Sequence, residues 1–206
     1  MNKEIGVAPV REIPVQNRSV AGRFYSHKNN RLLDFESQLE KKCYLTLEFD
    51  ESVVSYEPQP LKIGNYVPDI LAIRENEKPL LIEVKYSDEA ENPDEKLKRK
   101  FDVLSAYCDK NDMEFSVFTE KRINDPYFSN ISLIYNYANV NVPQEIQDKI
   151  LLAVPQEGAT IGNVLKTFNN NIQYLSYVYH LIFRNILTIN FYSILSLDTI
   201  VRKRND

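Results

Sequence analysis

The sequence predicts an α/β fold, a mixed sheet flanked by helices, followed by a smaller helical module that ends in a β pair. Three patterns carry this expectation. Short runs of β-branched and aliphatic residues, bounded by turn-forming residues, occupy the middle of the chain. Two longer stretches beside them repeat apolar residues every three to four positions. From Pro143 onward the texture changes to successive helical patterns.

Residues 1–34 hold six Lys or Arg against three acids and are expected to form a basic N-terminal arm. Asp34 is a candidate cap for a helix through FESQLEKKCYLTLEF, with Phe35, Leu39, Cys43 and Leu47 on one apolar face. VVSY (53–56), YVPDILAI (66–73) and PLLIEVK (79–85) read as strands, separated by Glu57-Pro58 and by the polar turn RENEK. EKLKRKFDVLSAYCDKN (95–111) is a second amphipathic helix through Leu97, Phe101, Leu104 and Cys108, and MEFSVFTE (113–120) is a further strand. These elements make a body over 35–142, with its boundary between about 138 and 143.

In the tail, 143–206, PQEIQDKILLAV opens with a proline suited to a helix start. Helical patterns over 160–168 and 171–185 follow, then ILTINF and DTIVRKR as a short β pair. Three helices and a hairpin is the order of a winged helix, whose third helix often enters the DNA major groove. Here that helix exposes mostly Asn, Gln, Ser and Tyr, with Arg184 as its only formal positive charge. Docking to a protein is at least as good a reading as contact with DNA.

Composition narrows the chemistry. The formal net charge is −4, so bulk positive charge does not hold this chain on nucleic acid. The charge is uneven: net +3 over 1–34, −8 over 35–142 and +1 over 143–206. No signal-peptide core and no run of ~18–20 apolar residues is present, and a bacterial cytoplasmic setting is expected. Cys43 and Cys108 are too few for a disulfide framework or a four-ligand zinc site, and His27 and His180 are the only histidines. GxxxxGK[ST], GxGxxG and GxSxG are all missing. Chemistry here falls to carboxylates and lysines.

The candidate residues lie on neighbouring strands. Glu83 and Lys85 alternate with Val84 and so share one face. If the two strands pair as a hairpin, Asp69 approaches that face. Two carboxylates held together repel each other unless a cation lies between them. Mg²⁺ is suited to this, since it prefers oxygen ligands and keeps several waters. Lys85 would then stand beside the reacting water or the developing phosphoryl charge. An edge strand with solvated charges is the plain alternative. Against it, Asp69 interrupts an apolar run and Glu83 directly follows three aliphatic residues. Glu36, bordering the inward face of the first helix, supplies a third carboxylate, with Glu40 one turn further on.

The stretch from GRFYSHKNNRLLDFESQLEKK through YVPDILAI and LLIEVK resembles the TnsA-type endonuclease subunit of heteromeric, Tn7-like transposases. The shared features are the GRF-S-K stretch, the FES-LE helix, the EFD-VVS-QP segment, and the YVPD and EVK strands, in order, over roughly residues 18–90. The tail, with VYHLIFRNILTINF, is more loosely similar to that family's winged-helix-like C-terminal domain. The resemblance implies a restriction-endonuclease-like PD-(D/E)xK fold and Mg²⁺-dependent cleavage of the 5′, non-transferred strand at transposon ends, with Mn²⁺ as a substitute metal. It implies a DDE transposase subunit and an AAA+ ATPase regulator as partners. By position it implies Glu36, Asp69, Glu83 and Lys85 as catalytic residues and the Val84 carbonyl as a further metal ligand. Gln59 aligns without a role. Arg18, Arg23 and Lys28 are weak DNA-contact candidates from the basic arm. A stand-alone restriction-type nuclease or resolvase, and a catalytically silent docking module, are the competing readings.

Overall fold

The chain, described here from a computed structural model, is seen over residues 21–204. From Gly22 it forms an antiparallel hairpin, β1 (Gly22–Ser26) and β2 (Arg31–Phe35), turned at the left-handed Asn30. This corrects the expectation of an arm reaching to residue 34. The segment alternates: Phe24, Leu33 and Phe35 are buried, while Arg23 faces Asp34 across the ladder at 3.4 Å. Asp34 therefore lies in a strand and does not cap a helix.

Helix α1 (Gln38–Phe49) begins three residues later than expected. Its cap is Ser37, whose Oγ accepts from the Glu40 N–H at 3.1 Å. Ser37 and Glu40 form the S-x-x-E pattern of a capping box, with the Glu40 carboxylate accepting in return from the Glu36 N–H at 2.8 Å.

A four-stranded sheet follows, in the order β3 (Val53–Pro58), β4 (Ile70–Arg74), β5 (Leu80–Val84) and β6 (Glu114–Phe118). The first two pairings are antiparallel and β5–β6 is parallel. The parallel step requires a crossover, which a short helix α2 (Ser87–Glu91) and the long α3 (Glu95–Lys110) provide. The pleat then divides the side chains. Leu81 joins Leu104 and Cys108 of α3 in one buried cluster, and Tyr56 meets Tyr44 of α1 at a centroid distance of 5.7 Å. The sheet thus lies between α1 and α3, and Glu83, two residues on from Leu81, shares the α3 face.

Ser26, Lys28 and Asn29 tie the hairpin turn to this body. Ser26 Oγ donates to the buried Glu48 at 2.6 Å, as does the Tyr56 hydroxyl at 2.6 Å. Asn29 both donates to the Tyr56 carbonyl and accepts from its N–H. The Lys28 ammonium donates to the carbonyls of Asp50 and Val53, and burial pushes it below the usual lysine range.

This first compact unit ends at Ile123 and a second begins at Asn124, earlier than the boundary expected near 138–143. The difference is α4 (Tyr127–Tyr135), a helix not expected from the sequence, with Ile131 and Ile134 buried. Next come α5 (Gln144–Ala153), β7 (Ala159–Thr160), α6 (Ile161–Lys166), α7 (Gln173–Phe183), β8 (Leu187–Thr188) and β9 (Ile200–Lys203). The three short strands make one antiparallel sheet in the order β7-β9-β8. Within this unit Asn130 Nδ2 donates to the carbonyls of Phe191 and Ser193, fixing the β8–β9 connection on α4. No helix among the described residues is long and apolar enough to cross a membrane.

Candidate active site

The start of β4 and the end of β5 bring Asp69, Glu83, Val84 and Lys85 together. Asp69 stands one residue before β4, and its Oδ2 accepts from the Val84 N–H at 2.7 Å. That bond crosses the β4–β5 ladder and holds the Asp69 carboxylate at the end of β5. Glu83 is fully buried on the α3 face, and Lys85 follows the strand end with its side chain a quarter exposed. The alternation read from ExK is present: Lys85 Nζ lies 3.0 Å from Glu83 Oε1.

Lys85 Nζ is also 2.9 Å from the Val84 carbonyl and 3.8 Å from Asp69 Oδ2. Three hard oxygen donors on three residues therefore surround a single cationic centre. A second ammonium, Lys100 from the second turn of α3, pairs with the same Glu83 Oε1. Glu83 Oε2 is buried with no hydrogen-bond partner. An orphaned carboxylate oxygen of this kind costs on the order of 1–3 kcal/mol or more, and a cation that it could ligate would relieve that cost.

Burial, and after it the Glu83 charge, pushes the Asp69 carboxyl up to about 7, against the opposing pull of Lys85, the Val84 N–H and Lys100. Burial works to lower the Lys85 ammonium, but the Asp69 and Glu83 charges outweigh it and leave it raised. Asp69 is thus biased toward taking a proton or a cation. An oxygen-only donor set with one unsatisfied carboxylate oxygen fits a hard divalent ion such as Mg²⁺. Among the described residues no group of three or more His, Cys, Asp or Glu is disposed to hold a metal. The donors at this corner are two carboxylates and one backbone carbonyl.

Glu36 is not on the helix. It sits in the bend between β2 and the cap Ser37, and its Oε1 accepts from Gln59 Nε2 at 3.1 Å. The Gln59 N–H in turn donates to the Asp69 carbonyl at 2.8 Å. Glu36 is so linked to Asp69 through one residue. Glu40 serves the helix start instead. Its carboxylate takes the Glu36 N–H and the Ser37 hydroxyl, and burial raises its pKa. Glu40 caps the helix and also lies within electrostatic reach of Lys85, whereas Glu36 is tied to the Asp69 loop through Gln59.

A cavity of about 940 Å³ opens at this corner, lined among others by Tyr66, Lys85, Asn92, Lys96 and Lys100. Lys100 is the functional candidate that sequence reasoning missed. Its signal was its place on α3, one turn past Lys96 on the face that meets β5. The basic-arm candidates are dispersed. Arg18 lies outside the described residues, Arg23 is paired with Asp34 on the hairpin surface, and Lys28 is committed to two backbone carbonyls.

No curated protein matches the chain. Residues 29–120 match a family model described as TnsA-like endonuclease N terminal. That match spans Glu36, Gln59, Asp69, Glu83, Lys85 and Lys100, and it implies a restriction-endonuclease-like fold and a nuclease with DNA as substrate.

Proposed function

We propose that this chain, whose residues 29–120 form a TnsA-like endonuclease N-terminal domain, is the Mg²⁺-dependent endonuclease subunit of a heteromeric transposase. It cuts the 5′, non-transferred strand at the transposon ends, beside a DDE transposase that handles the other strand and an AAA+ regulator that couples both to the target. The observation that carries the nuclease part is the convergence of Asp69 Oδ2, Glu83 Oε1 and the Val84 carbonyl on one cationic position, at 3.8, 3.0 and 2.9 Å from Lys85 Nζ.

Asp69, Glu83 and the Val84 carbonyl, with Glu36 alongside, would hold the divalent ion, which when bound polarises a phosphoryl oxygen and acidifies water. The chain's own residues do the rest. Lys85 orients the attacking water and offsets the charge that builds on the phosphoryl oxygens. Lys100, from α3, keeps the buried Glu83 paired. The Val84 N–H holds the Asp69 carboxylate at the site, so it is positioned before DNA arrives.

The second unit is read as a winged-helix-like module. Its support is the order of α5, β7, α6, α7, β8 and β9 with the sheet order β7-β9-β8. With no Lys or Arg in α7 and Arg184 only at its C-cap, the helix is a poor DNA reader by charge, and docking to partner subunits is the favoured role.

The test is a reconstituted end-cleavage reaction with Mg²⁺ and both partner proteins, comparing wild type with Asp69→Ala, Glu83→Ala and Lys85→Ala. Each variant is expected to lose 5′-strand cutting while still folding and entering the complex. Wild-type-like 5′ cutting by any of the three would sink the assignment.

A further inference from the structure

We propose that Gln59 is a positioning residue of this site, whose side chain sets the Glu36 carboxylate and whose backbone sets the loop carrying Asp69. The inference rests on the nuclease reading above and deepens it. Gln59 directly follows β3 and adopts φ +46°, the left-handed region. That conformation is unfavourable for an ordinary L-residue. Seven non-glycine residues among those described are left-handed, and the other six are all Asn or Asp. Their short polar side chains tolerate the region by bonding locally. Glutamine has no such advantage, so turn chemistry alone selects asparagine at this position.

What glutamine adds is one methylene of reach. Nε2 donates to Glu36 Oε1 at 3.1 Å, across to the bend before α1, while the Gln59 N–H donates to the Asp69 carbonyl at 2.8 Å. Glu36 stands outside α1 and has no helical register to direct its carboxylate. Asp69 is fixed from its other end by the Val84 N–H at 2.7 Å. Gln59 is thus the bridge that sets the spacing between Glu36 and the Asp69–Glu83–Lys85 cluster. The strained backbone is retained because a shorter side chain would drop that bridge.

Gln59→Asn and Gln59→Gly test this, because both suit a positive φ and keep the backbone N–H, yet neither reaches Glu36. The full chain is followed by thermal melting without metal, by Mn²⁺ binding in a calorimeter, and by the Mg²⁺ dependence of end cleavage with the partner proteins. Both variants are expected to melt at or above the wild-type temperature, while the Mn²⁺ dissociation constant and the half-saturating Mg²⁺ concentration rise about tenfold or more. In a Glu36→Ala background the Gln59→Asn change should add nothing further. Wild-type metal binding in Gln59→Asn overturns the proposal. So does a fall in metal-free melting temperature in both variants, which would mark a purely structural role. If wild type itself neither binds Mn²⁺ nor cleaves, the nuclease reading fails, and the proposal falls with it.

Discussion

Lys100→Met isolates the most exposed assumption in this site, that Glu83 needs two ammonium partners when no metal is bound. Methionine keeps most of the apolar stem of lysine and removes the terminal ammonium. Glu83 is fully buried, Lys100 is 17% exposed, and the second carboxylate oxygen already lacks a partner. Removing one member of a buried ion pair costs about 3–5 kcal/mol when the remaining charge is stranded. Lys85 stays 3.0 Å from the same oxygen, so the loss should fall below that range, at about 2–3 kcal/mol. For a unit of roughly a hundred residues this lowers Tm by about 10–20 °C. Circular dichroism melts at neutral pH in chelator, then in excess Mg²⁺, read the effect. The variant should recover a larger share of its loss with Mg²⁺ than wild type gains, since the ion supplies the missing charge. A metal-free melt matching wild type would refute the two-cation account of Glu83.

Three further outcomes follow from the same geometry. Asp69 has a raised pKa in the folded chain, so the native state binds its proton more tightly than the unfolded state does. Metal-free stability should therefore decline as pH rises from about 4 through about 7, and Asp69→Asn should flatten that decline in pH-dependent denaturant melts. Glu36→Ala should cut end cleavage severely with little change in melting. Glu40→Ala should lose about 1 kcal/mol of stability through the helix cap and cut within a few-fold of wild type; the reverse pattern would mean the wrong acid faces the site. Lys28→Met should destabilise the chain by about 1–3 kcal/mol through its two lost carbonyl bonds and leave the salt dependence of DNA binding unchanged.

The strand carboxylates are legible in the sequence because they violate the pattern around them. Asp69 interrupts an apolar run and Glu83 ends one, and a buried charge needs a partner whatever the fold. The partner itself is not legible. Lys100 lies 17 positions from Glu83 in a segment, EKLKRKF, whose charges look like a solvated helix face, and only the crossover places one of them over β5. Glu36 is recognisable as a residue but not in its setting. Asp34 competes as a cap upstream of it, whereas the S-x-x-E pattern at Ser37 and Glu40 marks the true helix start. The hairpin at 22–35 is hidden for a related reason. Its Lys and Arg read first as charge, while the alternation that buries Phe24, Leu33 and Phe35 carries the structural information. The GRF-S-K stretch is accordingly a clamp of the fold, built on Ser26, Lys28 and Glu48, more than a surface for DNA.

The acidity of the first unit and its approach to a polyanion are reconciled at the site itself. Asp69 and Glu83 are matched by Lys85 and Lys100, so this inner cluster is close to neutral before any ion is bound, with Glu36 adding one negative charge through Gln59. A divalent ion taken up by such a cluster leaves it net positive where a phosphodiester must sit. The same two lysines that hold the metal-free chain together are then what lets the ion's charge face outward, toward the DNA, and not be consumed in neutralising its own ligands. Attraction is confined to the scissile phosphate, and the acidic remainder of the domain repels the rest of the duplex. On the proposed function, affinity for DNA away from the site is expected to come from partner proteins. On that reading the isolated chain is expected to nick DNA weakly, and strong cutting without partner proteins would contradict this charge argument.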